Sequence, residues 1–152
     1  MTLSIREQVL QAFYLRLQAV TGVTILRNSG DQVDVAPTAI MVDGGQERHT
    51  GAGGDGEVFG QDTYTLRVRV FGYVDAATDE ALGGAISDLY AKIVAAILAD
   101  PTLAGAAQYT REASSSLDDP DWDSDRGRRP NAAFAVNFEV EFVTRNGDPY
   151  NR

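Results

Sequence analysis

The 152-residue chain has no cysteine and one histidine, His49. Without thiols it forms neither a disulfide nor a thiolate metal site, and a single imidazole excludes the usual zinc sets. Lysine is as scarce, Lys92 standing alone, and 13 basic residues face 22 acidic ones for a net charge of −9. That argues against a protein that grips nucleic acid through its whole surface, because phosphate binding needs clustered lysine and arginine. Long apolar runs are missing too, and no segment approaches the ~20 residues of a membrane span. The start, MTLSIREQVLQAF, lacks the basic opening and apolar run of a secretory signal, so the expectation is a soluble product, not exported by that route and not bound to a membrane. Catalytic signatures are absent as well: there is no nucleophile elbow, no phosphate-cradling lysine loop and no metal triad. His49 is the one candidate base near neutral pH, and it lies in a glycine-rich stretch with nothing to hold it against a nucleophile. Neither an enzyme nor a cofactor is expected.

What is present starts with alternation. In residues 64–74, YTLRVRVFGYV, Tyr64, Leu66, Val68, Val70 and Val74 share one side of a strand, and Thr65, Arg67, Arg69, Phe71 and Tyr73 share the other. This is a central strand with one buried face and one polar face that carries aromatics at one end. Residues 132–144, AAFAVNFEVEFVT, repeat the pattern, with Phe134, Val136, Phe138, Val140 and Phe142 inward and Asn137, Glu139 and Glu141 outward. Antiparallel pairing lays the Arg67/Arg69 face beside the Glu139/Glu141 face, where opposite charges across a strand pair contribute roughly 0.2–1 kcal/mol each.

Along the chain, Ser4 and Glu7 have the spacing of a capping box and predict a helix from about Ile5 to Val20, with Arg16 inside its apolar stripe as a snorkelling side chain or a partner contact. Gly22 ends it. Short strands follow at 23–27 and 37–43, the second opened by Pro37, which suits a strand start because it has no amide to donate. Residues 44–62 hold seven glycines and read as a long flexible hairpin loop. Thr78 or Asp79 caps a second helix reaching about Ala99, with Leu82, Ile86, Leu89, Tyr90, Ile93, Val94 and Ile97 as its core stripe. Its back, Gly84, Asp88, Ala91 and Ala95, is mostly small, and a helix so poor in polar residues is covered on both sides, by its own fold or by another copy. Residues 103–113 predict a turn and a weaker strand, 118–129 a polar acidic loop, and 145–152 a polar tail. The total is one α+β domain spanning 1–152, long enough to bury a core without staples.

Two motifs invite over-reading. Gly51, Gly53 and Gly56 match the letters of the dinucleotide fingerprint, but a strand follows where a helix must begin, and Asp55 and Glu57 repel phosphate. Asp119, Asp121, Asp123 and Asp125 resemble a calcium loop, yet Ser124 or Arg126 stands where glycine must turn the chain, and Pro130 or Ala132 where the bidentate acid belongs. A solvated acidic loop, partly neutralised by Arg126, Arg128 and Arg129, is the expectation. Trp122 in its midst is either an anchor for a protein contact or folded back on the core.

The opening SIREQVLQAF helix, the VTILRN strand and PTAIMVDGG before a long loop are followed by YTLRVRVFGYV, IVAAILADPTLAG and FAVNFEVEFVTRNGDPY. In this order they resemble the tail terminator, or tail completion, proteins of long-tailed bacteriophages, prophages and gene transfer agents. The likeness spans most of the chain and is one of layout, with no single diagnostic motif. It implies a small α+β fold with a mixed, mostly antiparallel sheet and helices on one face; the elements above supply four to five strands and two main helices. It also implies a ring of six copies at the head-proximal end of the virion tail, assembled in the host cytoplasm. Such a ring caps the tail tube, ends its polymerisation and joins the neck or connector protein, while DNA passes through the lumen without specific binding. Six copies at −9 carry about −54 formal charges, which repel DNA along such a lumen. The resemblance carries over no catalytic residues. Candidate contact or lumen positions are Glu47, Arg48, His49, Glu57 and Phe59 of the long loop, Arg67 and Arg69 of the central strand, Asp88 of the second helix, and Asp119, Asp121, Trp122, Asp123, Arg128 and Arg129 of the acidic loop. A neck or head-tail connector ring, and a small calcium- or ligand-binding module, stay open as alternatives.

Overall fold

A computed structural model describes residues 2–30, 35–49, 60–117 and 129–152. Helix α1 (Ile5–Gln18) starts where the Glu7 N–H donates to Ser4 Oγ at 3.2 Å. Only that half of the capping box forms, because the Glu7 carboxylate reaches instead to Arg27. Helix α2 (Asp79–Leu98) is capped by Thr78, whose side chain accepts from the Ala81 N–H, and acids in its first turn face the positive end of the helix dipole.

Among the described residues five strands form one mixed sheet, α+β in class: β1 (Thr24–Arg27), β2 (Thr38–Arg48), β3 (Gln61–Asp75), β4 (Tyr109–Leu117) and β5 (Asn131–Arg145), in the order β1-β2-β3-β5-β4. Only β1 and β2 run parallel. The two alternating stretches are neighbours, paired from Gln61↔Arg145 to Asp75↔Asn131. Both helices cover one face. Phe13 meets Phe138 edge-on at 5.4 Å, and Leu10, Leu17, Leu82, Leu89, Ile93 and Ile97 close over Leu66, Val68, Val70, Val136 and Val140. Each such side chain contributes roughly 1.5–3 kcal/mol by leaving water. The register puts Gly72 opposite Phe134, whose ring lies where a Cβ at position 72 would stand.

Several expectations need correction. The hairpin loop is shorter than 44–62, because β2 and β3 stay paired as far as Arg48↔Tyr64. Gly44 and Gly45 absorb a bulge in β2 between Asp43 and Gln46, so glycine here bends a strand instead of ending it. β4 runs to Leu117, four residues past its expected end. The polar tail is tied down: the Ile5 N–H donates to Pro149 O at 2.8 Å, the Gly147 N–H to Asp62 Oδ2 at 3.1 Å, and Arg152 to the Gly105 and Ala106 carbonyls. Finally, α2 is by length and composition long and apolar enough to cross a membrane, contrary to the expectation that no segment is. Leu82, Leu89, Ile93 and Ile97 are nonetheless packed in the core, as in an ordinary core helix.

Candidate functional site

Two broad surfaces have no cover from the described residues. The first is the flank of α2 turned away from the sheet. Ala81, Gly84, Asp88, Ala91 and Ala95 are exposed, and only 22% of the most apolar 18-residue window of the helix is buried. Asp88 pairs with Lys92 one turn on, at 2.7 Å, so the charges on this flank largely neutralise each other. Of the two expectations for the back of this helix, cover by the chain's own described elements is not what the fold provides. Beside α2 a groove of about 410 Å³ opens over β4, lined by Ile86, Tyr90, Leu117 and Phe134, with the Tyr90 hydroxyl donating to Glu112 Oε1 at 2.6 Å. That bond, then burial, pushes the Tyr90 phenol above its usual pKa.

The second surface is the sheet face opposite the helices. Arg67 and Arg69 project from it on β3, across from Glu139 and Asn137 on β5, while Glu141 lies opposite Thr65. The expected cross-strand charge pairs therefore form differently. Glu139 is taken by Arg111 of β4, whose guanidinium pKa it raises by accepting hydrogen bonds. Among the described residues Arg67 has only Glu47, at 3.8 Å between side chains 70% and 74% exposed, which is worth little in water. Arg69 donates from Nε to Asn137 Oδ1 at 2.8 Å and lies 5.4 Å from the Phe71 ring centre. Between the β2 bulge and a second bulge in β4, between Glu112 and Ser114, this face sinks into a depression of about 500 Å³.

Where β2 ends and β3 begins, beside the start of the tail, the two strands are clamped together. Asp62, 6% exposed, accepts from Arg48 at 2.6 Å and from the Gly147 N–H, so the hairpin and the tail share one carboxylate. His49 lies within 2.5 Å of Thr65 Oγ1 through Nε2, which holds the ring that the sequence left without a partner.

The structure thus gathers Glu47, Arg48, His49, Arg67 and Arg69 onto the hairpin and the open sheet face. Asp88 is on the far layer, and Arg129 is at the opposite end of β3, 4.0 Å from Asp75. Glu57, Phe59, Asp119, Asp121, Trp122, Asp123 and Arg128 lie outside the described residues. Sequence reasoning missed Arg111, Ser114 and Asn137; the alternation of Tyr109 with Arg111, continuing the open face, was the available signal. It also missed a three-strong ion network under the β1 edge. Arg27 donates to both Glu7 oxygens, at 2.9 and 3.0 Å, and to both Asp43 oxygens, at 3.1 and 2.7 Å. No three acidic, histidine or cysteine side chains among the described residues stand close enough to hold a metal ion. No protein-family model matches the chain, and no curated protein matches it.

Proposed function

We propose that the chain is a structural assembly protein that closes into a ring of identical subunits, six by the resemblance of its layout to tail terminator proteins, and that the ring caps a phage tail tube. The mechanism is steric. One side of the ring fits the last ring of the tube protein, the other meets the neck or connector protein, and growth ends because no further tube subunit fits on top. A contact between unlike surfaces that closes on itself keeps such a ring finite.

The observation that carries this reading is the exposed flank of α2. A helix with so few charges and so little of its surface buried leaves the folded chain with an apolar face that water penalises, and a neighbouring subunit relieves that cost. The open sheet face gives a second, different surface on the opposite side of the layer, as an unlike pair requires. Combining the purified chain with tube protein tests the reading by light scattering and electron microscopy. Rings in the presence of tube ends, with tubes of uniform length, are expected. Tails assembled without the chain that are equally uniform and joined to heads would sink the proposal.

A further inference from the structure

We propose that the open sheet face carries a carboxylate socket, which binds an extended acidic segment of a protein partner through Arg67 and Arg69. The socket is a property of this face alone and stands whether or not the chain closes into a ring.

Three features make it a built site. The depression is concave because two bulges, one in β2 and one in β4, raise walls on either side of β3 and β5 at the same level. Small residues hold it open. Gly44 and Gly45 form one wall and Ala113 and Ser114 the other, and Gly44 approaches the Arg67 backbone so closely that any Cβ there would strike the carbonyl oxygen. The cation inside is held in place. Ser114 Oγ accepts from Asn137 Nδ2 at 3.0 Å, Asn137 Oδ1 accepts from Arg69 Nε at 2.8 Å, and the guanidinium lies against Phe71. Its two terminal nitrogens have no partner among the described residues. A positioned guanidinium with a free edge is the donor pair that a carboxylate accepts with two parallel hydrogen bonds.

Spacing and charge select the occupant. Arg67 and Arg69 are two residues apart on one strand, roughly 7 Å at about 3.3 Å per residue. Carboxylates two residues apart on an extended partner have the same repeat, so two acids separated by one residue meet both arginines. Val42, opposite Arg69 on β2, adds apolar surface to the lining, which suits an apolar neighbour of those acids. Arg111 already neutralises Glu139 at the floor, so an entering carboxylate meets the free edge of Arg69 and, at Arg67, competes only with the loose, exposed 3.8 Å contact to Glu47. A continuous polyanion fares worse. Glu47 and Glu141 are exposed around the site, the whole chain carries −9, and DNA phosphates on either side of a bound one would face those charges.

The test uses the full chain and a labelled, end-blocked seven-residue peptide of alternating leucine and aspartate, titrated by fluorescence anisotropy at low salt. The same peptide with asparagine for aspartate and a 20-base-pair DNA duplex serve as controls. Binding of the aspartate peptide alone is expected, weakened about tenfold or more in Arg69→Gln, as for loss of a charge-assisted hydrogen bond. Arg69→Lys keeps the charge and loses the fork, and Asn137→Ala keeps every charge and loses the positioning, so each should weaken binding several-fold. Melting curves check folding, and Arg67→Gln, at a well-exposed side chain, carries the test if Arg69 variants fail to fold. No binding by the aspartate peptide, equal binding by the asparagine peptide or DNA, or unchanged affinity in the arginine variants overturns the proposal.

Discussion

Arg27 shows how a single side chain ties three elements. It lies under the β1 edge, and Glu7 from α1 and Asp43 from β2 converge on it. The Arg27 hydrogen bonds hold the Glu7 carboxyl below its usual range. Burial pushes Asp43 up, but the hydrogen bonds from Arg27 and Asn28 outweigh burial and leave it below its usual range. Arg27 in turn is held more firmly protonated. Folded values that lie below unfolded ones mean that this stability is present above the unfolded carboxyl values, 4.5 and 3.8, and is lost as pH falls through the lower folded values. Arg27→Met should cost about 2 kcal/mol near neutral pH by leaving two half-buried carboxylates unpaired. Urea denaturation at pH 7 and pH 3 checks it: the gap between the chain and its variant should narrow at the lower pH, and an equal gap refutes the account. Two glycines make a second residue-scale comparison. A Cβ at Gly72 would come 2.3 Å from the Phe134 ring, and one at Gly44 would come 2.2 Å from the Arg67 carbonyl oxygen. A ring tilts, but a paired strand does not. Gly72→Ala should cost about 1–3 kcal/mol and be partly rescued by Phe134→Leu, whereas Gly44→Ala should cost more and find no such partner. Denaturation midpoints of the single and double variants decide.

At the scale of elements, α2 does two jobs with two faces. Leu82, Leu89, Ile93 and Ile97 seal the core, and the flank with Gly84, Ala91 and Ala95 is left for something else. Because Ala91 is exposed on that flank, Ala91→Glu should change the melting temperature little, within about 0.5 kcal/mol of stability. If a neighbouring copy packs there, the same substitution should abolish assembly in light scattering; assembly that persists unchanged removes α2 from the interface. The existence of both helices and of the two long strands was legible from periodicity. Boundaries were less so. β2 was expected to stop at Asp43 because glycines follow, but its partner β3 keeps offering backbone groups, and a bulge costs less than leaving them unpaired.

For the molecule as a whole, charge dominates what assembly must overcome. Each copy brings −9, so packing copies side by side concentrates like charge, and salt screens it. Assembly should therefore strengthen between about 50 mM and 500 mM salt, where the Debye length shrinks well below ~10 Å. Light scattering across that range reads it directly, and assembly that weakens with salt would mean that opposite charges, not apolar flanks, hold the copies together. The carboxylate socket predicts the reverse salt response for its own ligand, so the two contacts separate in one experiment.

By itself the sequence determined the class of the fold, the inward faces of β3 and β5, the first helix start at Ser4 and the second to within Thr78 or Asp79, and the exclusion of thiolate metal sites. These are local properties: alternation, helical periodicity and capping depend on neighbours a few positions away, and composition needs no neighbours at all. Only the tertiary structure decided that Glu139 belongs to Arg111, that Arg27 gathers Glu7 and Asp43, and that Asp62 holds both the hairpin and the tail. Such pairings follow from strand order and from the bulges that shift register, because one extra residue in a strand changes which side chains meet across it.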